Sequence, residues 1–100
     1  MIRHKFNAKR TERDGLKFPS KKEAAYYDTL KELRAAGDVV FFLRQVPFDL
    51  PGGVKYFCDF CVFYLDGRVE FVDVKGRRTA QYIAKKKMVE ALYPVEIIEV

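Results

Sequence analysis

The rhythm of apolar and polar positions changes several times along the chain, and each change predicts an element. Ser20-Lys21-Lys22-Glu23 has the spacing of a capping box, in which the Ser side chain and the Glu carboxylate each take a backbone amide at a helix start. Ala24, Tyr27, Leu30, Leu33 (or Arg34) and Ala36 follow at near-helical intervals, and Gly37 is a natural C-cap. From Val39 to Leu50 the period disappears and Val, Phe and Leu dominate, which predicts a strand, with Pro47 marking an edge or a bend. Pro51-Gly52-Gly53 predicts a turn, Val54 to Leu65 a second strand, Asp66-Gly67 a tight turn and Arg68 to Lys75 a third strand ended by Gly76. Thr79 can cap a second helix running to about Tyr93, with Tyr82, Ile83, Met88, Val89 and Leu92 inward; Pro94 ends it and Val95 to Val100 forms a last strand.

The order is helix, three antiparallel strands, helix, strand. A strand reached through a helix can lie parallel to its neighbour by a right-handed crossover. The expected class is therefore α/β, a mixed sheet with helices packed on it. Residues 1–18 are polar, basic and aperiodic, and read as a flexible or loosely docked arm ahead of a domain over residues 19–100.

Charge sharpens this picture. The net charge is +5, and the excess sits in two places. Residues 1–22 carry Arg3, Lys5, Lys9, Arg10, Arg13, Lys17, Lys21 and Lys22 against Glu12 and Asp14, and a second group comprises Lys75, Arg77, Arg78, Lys85, Lys86 and Lys87. Two basic clusters suit a polyanion better than an acidic protein. Lys9, Arg10, Arg13, Arg77, Lys85 and Lys87 are the candidate phosphate contacts. The longest strongly apolar run, Val39 to Leu43, is far short of the ~20 residues a membrane span needs. No apolar segment follows the N-terminal charges, so no signal peptide is expected and a cytoplasmic location is the plain reading.

Cys58 and Cys61 form a C-x-x-C, yet there is no second pair and His4 is the sole histidine. On a strand, positions an odd number apart point to opposite faces. Two small core residues are expected rather than a metal or redox centre.

Asp59 and Asp73 interrupt strongly apolar strands. A charge there is costly unless it is paired or binds a metal. Whether the two meet depends on the turn. A two-residue type I′ turn at Asp66-Gly67 would pair Leu65 with Arg68 and send the acids to opposite sides. A three-residue loop, Leu65-Asp66-Gly67 with Gly67 left-handed, pairs Tyr64 with Arg68 and sets Asp59 directly opposite Asp73, with Cβ atoms about 4.5–5.5 Å apart. The pattern alone does not choose; the three-residue loop gives both carboxylates one purpose. Lys75 then shares their face. Facing carboxylates repel, and a divalent cation reverses that interaction; hard oxygen ligands suit Mg²⁺ or Mn²⁺.

An Asp followed on the next strand by Asp-x-Lys resembles the signature of the PD-(D/E)XK nuclease superfamily, with Asp59 as first acid (Cys58 stands in place of the Pro) and Asp73-Val74-Lys75 as the (D/E)XK. The runs Asp14-Gly15-Leu16-Lys17-Phe18, Ser20-Lys21-Lys22-Glu23-Ala24, Tyr56-Phe57-Cys58-Asp59-Phe60, Glu70 to Gly76 and Thr79 to Lys87 resemble a family of short phage-encoded proteins of unknown function with a proposed nuclease fold. The resemblance implies a restriction-endonuclease-like αβββαβ core and catalytic residues Glu23, Asp59, Asp73 and Lys75, the three acids binding Mg²⁺ or Mn²⁺. It further implies a phage DNA endonuclease acting in the host cytoplasm, with branched DNA such as a Holliday junction as a candidate substrate. A chain of 100 residues covers little DNA, so a homodimer is expected. The rival expectation is a non-catalytic nucleic-acid-binding module of the same fold. Glu23 itself has two readings, metal ligand or helix cap.

Overall fold

Residues 10–100 are described by a computed structural model. Thr11–Arg13 (β1) and Leu16–Phe18 (β2) pair antiparallel across Asp14 and Gly15, whose φ angles are 53° and 78°. Two successive left-handed residues make the tight hairpin turn that Asp-Gly favours. Residues 11–18 are thus part of the fold and not a loose arm. Phe18 is fully buried, Arg13 pairs with Asp28, and Asp14 accepts from Tyr27 and Lys31. The signal was a single Asp-Gly between strands too short for alternation to register. Residues 1–9, and with them Lys9, lie outside the described residues.

The helix Lys21–Ala35 (α1) starts at Ser20, whose hydroxyl accepts from the Glu23 amide at 3.1 Å, and ends before Gly37, φ 90°. Val39–Leu50 (β3), Val54–Tyr64 (β4), Val69–Asp73 (β5) and Ile97–Glu99 (β6) form a sheet in the order β3-β4-β5-β6. The first three run antiparallel and β6 lies parallel to β5, reached through the helix Ala80–Leu92 (α2). This is a small α/β domain with a mixed sheet flanked by helices. Pro47 falls on β3, the sheet edge, where a missing donor is tolerated. Among the described residues no helix is long and apolar enough to cross a membrane.

The β4–β5 turn takes the three-residue form. The Tyr64 amide donates to the Arg68 carbonyl at 2.9 Å, the Gly67 amide donates to the Tyr64 carbonyl at 3.0 Å, and Gly67 has φ 95°. The register then runs Phe63↔Val69 to Phe60↔Val72, where the pairing ends. One step beyond it, Asp59 and Asp73 meet through a hydrogen bond from the Asp59 amide to Asp73 Oδ1.

Two cores result. Under α1, Phe18, Ala24, Tyr27 and Leu30 pack on Val39, Phe60, Val62, Val72 and Val74. Toward α2, Phe48, Leu50, Tyr56 and Cys58 pack with Val89 and Ile97. Even-numbered positions of β3 and β4 serve both cores, and the changeover falls at Gln45, a non-glycine residue with φ 51°. A left-handed residue interrupts the extended alternation there. On α2 only Tyr82 and Val89 line the core, joined by Tyr93 just past its end; Met88 and Leu92, expected inward, are 37% and 54% exposed. Cys58 and Cys61 are buried free thiols, and burial pushes the Cys58 thiol up to about 12.

Candidate active site

Strands β4 and β5 separate beyond the Phe60–Val72 pair, and the facing acids fill the gap. The Asp59 amide donates to Asp73 Oδ1 at 2.9 Å, and the Val74 amide donates to Asp59 Oδ2 at 2.9 Å. Each carboxylate therefore replaces a ladder acceptor that the parting strands no longer supply. Asp59 is 8% exposed and Asp73 is fully buried. Asp73 Oδ2 is buried with no hydrogen-bond partner. Burial raises the Asp73 carboxyl above its ordinary value, opposed by the Asp59 amide and by the nearby Lys75 charge.

Glu23 enters the same space from the first turn of α1 and is also buried. Among the described residues only the Ser20 half of the capping box forms; the Glu23 carboxylate turns inward instead. Its Oε2 lies 3.5 Å from Gln45 Nε2, which also reaches Asp59 Oδ1 at 3.3 Å. Burial, and then the Asp59 charge, push the Glu23 carboxyl up to about 7, against the pull of Arg44 and Lys75.

Lys75 follows β5 and its backbone is held on two sides. Its amide donates to the Val100 carbonyl at 3.1 Å, and its carbonyl accepts from Lys22 Nζ at 2.9 Å. Its ammonium stands 4.5 Å from the centre of the Tyr82 ring. The Tyr82 hydroxyl donates to Glu99 at 3.1 Å. A hydroxyl has one proton to give, so Asp73 Oδ2 stays without a partner although Tyr82 is close to it. Glu99 pairs in register with Asp73 and also holds Lys86 and Arg78.

Residues 3–98 match the model of a family described as a protein of unknown function, DUF1064. The chain belongs to the DUF1064 family. Comparison with curated proteins and with solved structures gave no match.

In this DUF1064 protein the sheet brings Asp59, Asp73 and Lys75 together, and α1 adds Glu23 to them. Three neighbours escaped sequence reasoning. Gln45 lies between the pairs Arg44–Phe60 and Val46–Cys58 and reaches Asp59, the Asp59 amide reaches Asp73, and Asp73 pairs with Glu99, so contacts run through all four strands. Only the registers of β3 and β6 bring Gln45 and Glu99 here; Pro51-Gly52-Gly53 marks the β3–β4 turn without fixing its pairing, and β6 is reached through a helix. Tyr82 looked like an ordinary core ring. The candidate phosphate contacts are dispersed: Arg10, Arg77 and Lys87 are exposed, Lys85 is half-buried, and Arg13 is occupied by Asp28 at 3.0 Å. A surface hollow of about 420 Å³, lined by residues that include Leu33, Asp38, Tyr64 and Arg68, lies at the β4–β5 turn and includes none of these acids.

Among the described residues no three acids, histidines or cysteines stand together as a ready-made metal site. The donor set nonetheless fits a hard divalent cation. It consists of carboxylate oxygens only, one of them is buried without a partner, and a neutral amide rather than a cation stands between two of the acids.

Proposed function

We propose that this DUF1064 protein is a Mg²⁺- or Mn²⁺-dependent DNA endonuclease of the PD-(D/E)XK type, with a restriction-endonuclease-like core. One observation carries the reading: Asp59 and Asp73 meet between β4 and β5, each buried and joined through the other strand's backbone, and an oxygen of Asp73 is buried with no hydrogen-bond partner. Helix caps and core packing require neither feature. Glu23, Asp59 and Asp73 would hold the cation. A bound divalent cation supplies Lewis acidity toward a phosphodiester and a water molecule.

The protein's own groups do the rest. Lys75, two residues beyond Asp73, orients the attacking water or steadies charge gathering on the phosphate. The Tyr82 ring faces the Lys75 ammonium and helps to hold it in place. Arg77, Lys85 and Lys87 hold the DNA backbone; such contacts position DNA without reading its sequence, so recognition rests on DNA shape. A two-fold homodimer would present two such sites to a branched substrate. A phage origin, with action in the host cytoplasm, belongs to the same proposal.

A second reading has its own support. Each Asp accepts a backbone amide of the opposite strand, so the pair could close the gap between β4 and β5 in a binding module that cuts nothing. Incubation with linear, flap and four-way-junction DNA, in Mg²⁺, Mn²⁺ or EDTA, separates the two. Cation-dependent scission supports the nuclease. Binding without scission under every condition supports the module.

A further inference from the structure

We infer that Gln45 is a positioning residue of this site, holding Glu23 and Asp59 at the spacing that a divalent cation requires. The inference rests on the nuclease reading and adds to it a residue from the edge strand.

Gln45 lies in the middle of a twelve-residue strand with φ 51°, a conformation that side chains other than those of Asn, Asp and Gly seldom adopt. The ladder does not demand it, since Arg44 and Val46 on either side keep their partners Phe60 and Cys58. A bend alone would be met more cheaply by Gly or Asn. What the conformation achieves is the aim of the side chain. An amide nitrogen has two hydrogens, and here they serve two different carboxylates, Glu23 on α1 and Asp59 on β4. No other hydrogen bond among the described side chains links these two acids. Gln45 is itself exposed while both acids are buried, which puts the amide at the mouth of the site.

The chemistry of an amide suits this place. A Lys or Arg would neutralise the acids and compete with a cation for them. A neutral amide restrains the long Glu23 side chain, yet its contacts of 3.3 and 3.5 Å are weak enough to yield when a cation enters. Partners that hydrogen-bond to ligating carboxylates set their orientation, and losing one typically weakens metal binding about 10–100-fold.

The test is calorimetric titration of Mn²⁺ into the full chain and its variants, with DNA cleavage measured alongside. Gln45→Met keeps the length and unbranched stem but removes both donors. It is expected to bind Mn²⁺ at least ~10-fold more weakly, with unchanged circular dichroism. Its cleavage should be depressed at low Mn²⁺ and recover at saturating Mn²⁺, because Gln45 touches no reacting atom. Gln45→Asn tolerates the left-handed backbone but is one methylene short, and should fall between; it carries the comparison if Gln45→Met unfolds. A Gln45→Met protein that binds Mn²⁺ like wild type overturns the role of Gln45 and leaves the nuclease reading intact. A wild type that neither binds Mn²⁺ nor cuts DNA overturns both.

Discussion

The two helices flank one sheet and contribute to it unequally. α1 buries Glu23, Ala24, Tyr27 and Leu30, and packs them on fully buried Phe60, Val62 and Val72. α2 buries Val89 alone and turns Met88 and Leu92 outward. α1 thus anchors the fold and delivers an acid to its interior. α2 packs on the sheet through Val89 and Tyr82 and presents basic residues. The contrast teaches that the acids and the basic surface are supported by different amounts of packing: the helix that delivers Glu23 buries four residues, and the helix that carries Lys85 and Lys87 buries one.

The largest test of this contrast is core truncation. Leu30→Ala should cost about 2–5 kcal/mol, the range for a buried leucine whose cavity does not collapse. Val89→Ala removes fewer buried carbons and should cost roughly 1.5 kcal/mol. Urea unfolding measures both. Equal losses would erase the distinction between the helices, as would amide hydrogen exchange in α2 as slow as in α1.

Glu23 sharpens it through pH. Its carboxyl is raised in the folded protein to about 7 from an ordinary 4.5, so the fold favours the protonated form. Below about pH 4.5 both states hold the proton and the penalty is absent. As pH rises from there the unfolded chain releases it first, and stability falls until it levels off above about 7. Asp73, also raised, adds slope in the same sense. In EDTA, Glu23→Gln should flatten that decline and make the protein more stable than wild type at pH 8, by an amount on the order of 2–3 kcal/mol. Unchanged pH dependence of the melting temperature would mean that Glu23 is not the buried acid described here.

The smallest effects are at the caps. Ser20 and Thr79 each accept a backbone amide at a helix start. Ser20→Ala should cost about 1 kcal/mol in global stability. Thr79→Ala should chiefly fray α2, seen as faster exchange in its first turn with little change in the urea midpoint.

How much of this was legible in the sequence depended on local signals. The loop at Leu65-Asp66-Gly67 was legible only in part: Gly67 can be left-handed in either a two- or a three-residue turn, and the three-residue form, preferred because it brings Asp59 to Asp73, is the one that forms. Ser20, Gly37, Thr79 and Pro94 bounded the helices because capping and chain-breaking are local chemistry. The β1–β2 hairpin was missed because its only mark is Asp14-Gly15. Gln45 was missed because nothing in Arg44-Gln45-Val46 announces a left-handed residue, and its contacts with Glu23 and Asp59 join residues far apart in the chain. The exposure of Met88 and Leu92 was missed because apolar spacing reports which side of a helix can be buried, not how much sheet lies beneath it. The Arg13–Asp28 pair joins residues that only the folded hairpin brings together.

The central claim is that the facing pair Asp59 and Asp73 is a cation site that drives DNA cleavage. It is tested most directly by comparing wild type with Asp73→Asn on linear and four-way-junction DNA in Mg²⁺ or Mn²⁺. Asn keeps the shape of the side chain and an oxygen for the Asp59 amide, so the fold and DNA binding should persist. The account predicts cation-dependent cleavage by the wild type and cleavage at background level for Asp73→Asn, with DNA affinity retained. Undiminished cleavage by Asp73→Asn, or no cleavage by the wild type with either cation, would contradict it.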